Sequence, residues 1–267
     1  MKPKALILTG YGINSEEETA YCFDRTGSEA QIIHINDIIE NPSLLQKFQI
    51  LAFPGGFSYG DDTGSGNALA NKIKNNLKKE FLKFATEEKL IIGICNGFQI
   101  LVNLGLAPAI NNEYGTPQAA LMHNNTTRFT CTWVHLKNQN SNCVWTRNIE
   151  MIQLPIAHGE GNFYAPPEIM EELNTNNQIT LKYVKEDGTP ANGQLPFNPN
   201  GSAQDIAAIC DPSGRIFGLM PHPERFNCFT NKEGWEKEKE ILIRQGKELP
   251  KDGDGLKIFA NASKYFQ

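Results

Sequence analysis

Short apolar runs alternate with segments of helical period over the first hundred residues. Residues 5–9, Ala-Leu-Ile-Leu-Thr, have the pattern of a buried strand. Ser15 stands before Glu16-Glu17-Glu18, which predicts a helix with Ser15 as its cap and acids at the positive end of its dipole. That helix is predicted to run to about Thr26 and to stop at Gly27. Residues 31–35 predict a second strand and residues 50–53 a third, halted by Pro54-Gly55-Gly56. Residues 67–88 are helical in period, with Asn75-Asn76 as a candidate break. Residues 90–94 predict a fourth strand, and residues 96–104 the helix directly after it. This rhythm predicts an α/β fold with a parallel sheet covered by helices on both faces.

From Ala119 the pattern becomes richer in strands. Residues 128–136, 150–156, 179–184, 205–210 and 216–219 are strand candidates, joined by turn-rich loops such as 193–201. They are expected to extend the same sheet rather than build a second domain. From Asn227 the chain is polar, helical over 232–245, with a loop at Pro250-Lys251-Asp252-Gly253-Asp254-Gly255. The domain reading is therefore residues 1–226 as one unit and 227–267 as a C-terminal extension packed on or beside it. There is no internal repeat.

Composition narrows the functional classes. With a net charge of −5, the chain lacks the basic balance of a nucleic-acid binder. No apolar stretch approaches the length needed to span a bilayer. The run at 5–8 is too short for a secretory leader and reads as the first strand. The six cysteines, Cys22, Cys95, Cys131, Cys143, Cys210 and Cys228, form no Cys-x-x-Cys pair and have no histidine at zinc spacing. No metal site and a reducing, cytoplasmic setting are expected. Cys22, Cys131, Cys143 and Cys210 lie in apolar or strand-like surroundings and are expected to be structural.

Cys95 differs from these. It ends the run Leu90-Ile91-Ile92-Gly93-Ile94 and immediately precedes a helical pattern. A sharp strand-to-helix turn leaves one side chain at the turn, under the unpaired N–H groups and positive end of the helix. Such an elbow makes a nucleophile of serine or cysteine; the same pattern also fits a buried structural thiol. A nucleophilic thiol needs a base, and the base an orienting group. Two His-x-Glu pairs qualify, His222-x-Glu224 and His158-x-Glu160, because residues two apart in extended chain face one side. The residues leave both open. Oxyanion donors would come from the Gly55-Gly56-Phe57 loop at a strand's carboxyl end and from the N–H of Asn96. The order Cys95, His222, Glu224 differs from the nucleophile–acid–histidine order of α/β-hydrolases.

Gly93-x-Cys95-x-Gly97-x-Gln99, with Pro54-Gly55-Gly56-Phe57 upstream and Pro221-His222-Pro223-Glu224 downstream, resembles the class I (triad) glutamine amidotransferases. Five further segments are similar to the glutaminase-subunit family of the phosphoribosylformylglycinamidine synthases. They are residues 54–61, Arg128-Phe129 with Trp133-Val134, Leu154 to Gly161, Asn198 to Ser202, and Gly218 to Arg225. The resemblance implies a doubly wound, flavodoxin-like, mainly parallel sheet with added strands in the second half. It implies Cys95 as nucleophile, His222 as base and then proton donor, and Glu224 as its orienter. Gly56 or Phe57 together with Asn96 would bind the oxyanion; Gly55, Gln99, Asn124 and Phe129 would hold glutamine. His158 and Glu160 would lie at the pocket rim or face a partner. The family further implies a chain that makes ammonia without a cofactor of its own. A separate synthetase subunit would bind ATP, magnesium and formylglycinamide ribonucleotide, joined by a small third subunit. The tail from 227 is longer than in shorter bacterial versions and is expected to be a surface extension. A cysteine peptidase or deglycase-like enzyme, or an inactive binding subunit, are the competing readings.

Overall fold

The computed structural model describes residues 2–139 and 141–267. In the first half, β1 (Lys4–Thr9), α1 (Glu16–Arg25), β2 (Glu29–His34), α2 (Ile35–Glu40), β3 (Ile50–Phe53), α3 (Asn67–Thr86), β4 (Leu90–Ile94) and α4 (Asn96–Leu104) follow one another. The second half adds β5 (Ala120–Met122), β6 (Thr130–Asn138), β7 (Met151–His158), β8 (Asn162–Tyr164), α5 (Pro167–Thr175), β9 (Ile179–Val184), β10 (Ile206–Cys210) and β11 (Ile216–Leu219). Two helices close the chain, α6 (Trp235–Arg244) and α7 (Leu256–Tyr265).

Among the described residues, nine strands form one sheet in the order β2-β1-β3-β4-β11-β10-β9-β6-β7, and β5 pairs with β8 separately. The strands from β2 to β11 run parallel, and those from β11 to β7 pair antiparallel. Burial explains the composition of the parallel half. Every residue of β3, β4 and β11 is buried, so these strands are apolar throughout rather than alternating. Alternate side chains of β1 feed two cores. Ala5 and Ile7 join Phe23, Trp145, Phe217 and Phe259. Leu6 and Leu8 join Phe53, Ile73, Phe81 and Phe84 on the opposite face.

Register decides where the chemistry sits. Phe53 pairs with Gly93, and Leu219 pairs with Ile94. The carboxyl ends of β3, β4 and β11 therefore lie side by side, and the segments beginning at Pro54, Cys95 and Met220 leave one sheet edge together. Glycines make this packing tight. A Cβ on Gly97 would fall 1.9 Å from the Phe53 carbonyl oxygen, and one on Gly218 would fall 2.1 Å from the Phe98 ring.

Several local features differ from the sequence pattern. The Ser15 side chain makes no cap hydrogen bond to α1; its hydroxyl accepts from Arg225 at 3.1 Å. The α3 helix runs unbroken through Asn75-Asn76, with Asn76 Nδ2 donating back to the Lys72 carbonyl at 2.8 Å. Cys131 is exposed, not structural, because the first half of β6 emerges from the sheet cover. The tail divides. None of the described α6 residues is buried, whereas α7 belongs to the core. Phe259 meets Phe23 of α1 edge-on at 5.0 Å, and Asn261 Nδ2 donates to the carbonyls of Trp145 and Arg147 at 2.9 and 2.8 Å. Phe259→Ala is expected to destabilise the fold by about 3–5 kcal/mol, the usual cost of emptying a buried aromatic site, as measured by urea unfolding.

Candidate active site

Cys95 occupies φ 52° and ψ −107°, a conformation that costs a non-glycine residue energy and is held only by its surroundings. Its N–H donates to the Leu219 carbonyl at 2.8 Å, while its carbonyl accepts from Phe98 N–H at 2.9 Å. The elbow is thus stitched to β11 on one side and opens α4 on the other. The thiol is almost fully buried and reaches the Ala157 carbonyl at 3.7 Å.

His222 leaves the neighbouring strand end, its N–H donating to the Pro155 carbonyl at 2.8 Å. Nδ1 lies 2.5 Å from Glu224 Oε1, and the Glu224 side chain is wholly buried, as the two-residue spacing predicts. Nε2 has no hydrogen-bonded oxygen or nitrogen partner among the described residues. Burial opposes charge on the ring, but the Glu224 carboxylate and then the Cys95 sulfur outweigh it, and His222 is pushed up to about 10. Gly55 packs behind this ring: a Cβ there would meet His222 Cε1 at 2.8 Å. Gly55 is thus placed behind the imidazole and is not among the residues that line the cleft beside Cys95.

Of the two alternatives in the glycine loop, Gly56 and Phe57, the structure leaves only the first with a free N–H. Phe57 N–H is already bonded to the Gly12 carbonyl at 2.7 Å, so Phe57 is corrected as a donor candidate. Among the described residues no backbone acceptor takes the N–H of Gly56, and Asn96, first in α4, has no intrahelical acceptor. Gly56 adopts φ 153°, where a Cβ would strike the Gly12 carbonyl oxygen at 2.5 Å.

Gly56, Cys95, Gln99, Phe129, His158 and Glu160 share a cleft of about 160 Å³. It is smaller than the roughly 300–1,000 Å³ of drug-sized pockets and suits a ligand of amino-acid size. Gln99 Nε2 donates to the Glu160 carbonyl at 2.6 Å, and Gln99 Oε1 accepts from Asn96 Nδ2 at 2.9 Å. The same Asn96 amide donates to Asp61 at 3.0 Å and accepts from Ser58 N–H at 3.2 Å. Sequence reasoning missed this brace and the role of Asp61, whose carboxyl is pushed up by burial at the cleft wall. Only the acidity of the segment after the glycines could have signalled it.

Phe129 stands at the mouth, its ring 6.2 Å from that of Phe57. Glu160 sits at the rim, where Oε2 accepts from Ser65 N–H at 3.2 Å. Two placements differ from expectation. Asn124 does not line the cleft: it is buried, and Nδ2 donates to the carbonyls of Arg128 and His158, both at 2.9 Å. His158 is not at the rim: it is buried in the cleft wall, and burial followed by the charge of His222 pushes it down to about 3.

Residues 2–266 match the family model of the CobB/CobQ-like glutamine amidotransferase domain. The chain belongs to this family. Within it, this amidotransferase is 51% identical over 265 residues to the phosphoribosylformylglycinamidine synthase subunit PurQ of Methanococcus maripaludis, covering 99% of this chain and 97% of that one. It is 44% identical to the PurQ subunit of Dehalococcoides mccartyi, covering 99% and 98% of the two chains. The solved structure of PurLQS from Thermotoga maritima contains a chain that superposes with a TM-score of 0.72 at 30% identity, with both chains fully covered. The fold is accordingly the α/β fold of the glutamine amidotransferases.

The raised His222 value has a consequence for this amidotransferase. An unfolded histidine titrates near about 6.5, so the folded state holds the ring's proton over a wider pH range. The stabilisation is fully present below about 6.5, and is lost as pH rises through the folded value of about 10. Melting temperature is expected to fall across that window, and the fall to shrink in His222→Gln.

Proposed function

We propose that this chain is the glutaminase subunit of a phosphoribosylformylglycinamidine synthase. The observation that carries the reading is the buried His222–Glu224 pair, charge-coupled to Cys95 at one sheet edge with the free N–H groups of Gly56 and Asn96. His222 Nε2 has taken the Cys95 proton before the sulfur attacks the side-chain amide carbon of glutamine, so the attack starts from the charge-paired sulfur and imidazolium. The developing oxyanion is held by the N–H groups of Gly56 and Asn96. The imidazolium then protonates the amide nitrogen, the C–N bond breaks, ammonia leaves and a thioester remains. Water, deprotonated by His222, attacks the thioester; glutamate departs and the thiol is restored. Glu224 keeps the ring in one tautomer and stabilises its charge throughout.

The word "subunit" in the relatives' names and the PurLQS assembly support a synthetase partner and a small third subunit. Ammonia made here is used there, with ATP and magnesium on the partner, to convert formylglycinamide ribonucleotide to formylglycinamidine ribonucleotide. This chain needs no cofactor for the hydrolysis. Its six free thiols suit a reducing cytoplasm. The small cleft favours glutamine over a peptide, whose main chain would have to continue on both sides of the scissile bond.

The test is reconstitution with the synthetase. Glutamate release is expected to rise when ATP and the ribonucleotide are added. Cys95→Ala is expected to cut glutamine-dependent synthesis by more than about a thousandfold while free ammonia still supports the reaction. Diazo-oxonorleucine, a glutamine-like electrophile, is expected to label Cys95. Glutamine-dependent synthesis surviving in Cys95→Ala would remove the thiol from this role.

A further inference from the structure

One buried polar group in the cleft has no part in the chemistry above. His158 is 3% exposed, lines the same cleft as Cys95, and its Nε2 has no hydrogen-bond partner among the described residues. An orphaned acceptor of this kind costs free energy unless something serves it. Its environment also fixes which nitrogen carries the proton. Asn124 Nδ2 donates to two carbonyls, so Asn124 Oδ1 faces Gly161 N–H at 3.0 Å and His158 Nδ1 at 3.2 Å. Nδ1 must therefore donate, and Nε2 is left with a lone pair. Gly161 lets the ring lie against the backbone, since a Cβ there would sit 2.3 Å from His158 Cε1.

Resting on the glutaminase reading, we infer that His158 is a positioning residue whose Nε2 accepts an N–H of the substrate's side-chain amide. The leaving nitrogen of glutamine carries two N–H groups. Holding one of them turns the nitrogen so that its lone pair, localised once the carbonyl has been attacked, points away from His158. His222, which is coupled to the Cys95 sulfur, then has a defined target for its proton. The two histidines are driven to opposite ends of the scale, His158 down to about 3 and His222 up to about 10. One is a fixed acceptor and the other a proton carrier, so they do not compete. Asn124, outside the cleft, acts by locking the His158 tautomer.

The substrate pair that tests this is glutamine against the γ-methyl ester of glutamate, which offers no amide N–H. His158→Asn retains a donor for Asn124 but removes the acceptor. In the complex with the synthetase, it is expected to lower kcat/KM for glutamine roughly tenfold to a hundredfold. Most of that loss should fall in kcat, with ester turnover changed less than about threefold. His158→Gln places an acceptor near the lost Nε2 and is expected to recover part of the glutamine rate. Equal loss on both substrates, or unchanged glutamine turnover in His158→Asn, overturns the role of His158. If instead the unaltered complex releases no glutamate from glutamine, the glutaminase reading itself fails. A measurement without any His158 substitution stands beside these. In the Cys95→Ala full chain with ¹⁵N-labelled histidine, the unprotonated Nε2 resonance of His158 should shift on adding glutamine and not on adding the ester. A resonance indifferent to glutamine also overturns the proposal.

Discussion

The close approach of α4 to the ends of β3, β4 and β11 governs the rest of this molecule. Where most helices pack on a sheet through side chains, here the first turn packs through backbone. Gly97 lies against the Phe53 carbonyl, Gly93 against the Gly97 carbonyl, and Gly218 against the Phe98 ring. That compression leaves Cys95 no relaxed conformation, and its backbone hydrogen bonds to β11 and to α4 hold it at positive φ. Packing holds that conformation in place, with the sulfur buried beside the Ala157 carbonyl.

Around that fixed point the site is assembled from segments that share little except the sheet edge. Parallel register brings the glycine loop, the elbow and the His222 segment together without any of them reaching. Polar side chains then lock the loops. Asn96 ties Ser58, Asp61 and Gln99 into one unit, and Gln99 passes the restraint to Glu160. Asn124 and Asn200 do the same for the segment after β7, Asn200 Nδ2 donating to the Gly161 carbonyl at 2.8 Å. Amides suit this task because each can donate and accept at once without changing charge.

The parallel half of the fold was legible because its strands are buried on both faces and its helices are amphipathic; both patterns survive in one dimension. The elbow and the His222–Glu224 pair were legible for a related reason, since each is a short-range geometry written in consecutive residues. What stayed hidden depends on distant partners. The α7 helix is short and mixed in pattern, and only Phe23 and the carbonyls near Trp145 reveal why it folds. The loss of Phe57 as a donor follows from Gly12, far upstream. Asn124 and His158 exchanged places with respect to the cleft because their orientation is set by mutual hydrogen bonds, which no spacing rule encodes.

The insertion of β11 between β4 and β10 also orders events in time. During synthesis Cys95 leaves the ribosome long before His222, and the strand that leads to the histidine, the last of the sheet in the chain, takes a place in its middle. Pairings of such wide sequence separation form late in folding. A chain that has emerged only as far as α4 therefore carries Cys95 without His222. Completion of the sheet is itself the event that brings the imidazole to the edge where the sulfur stands.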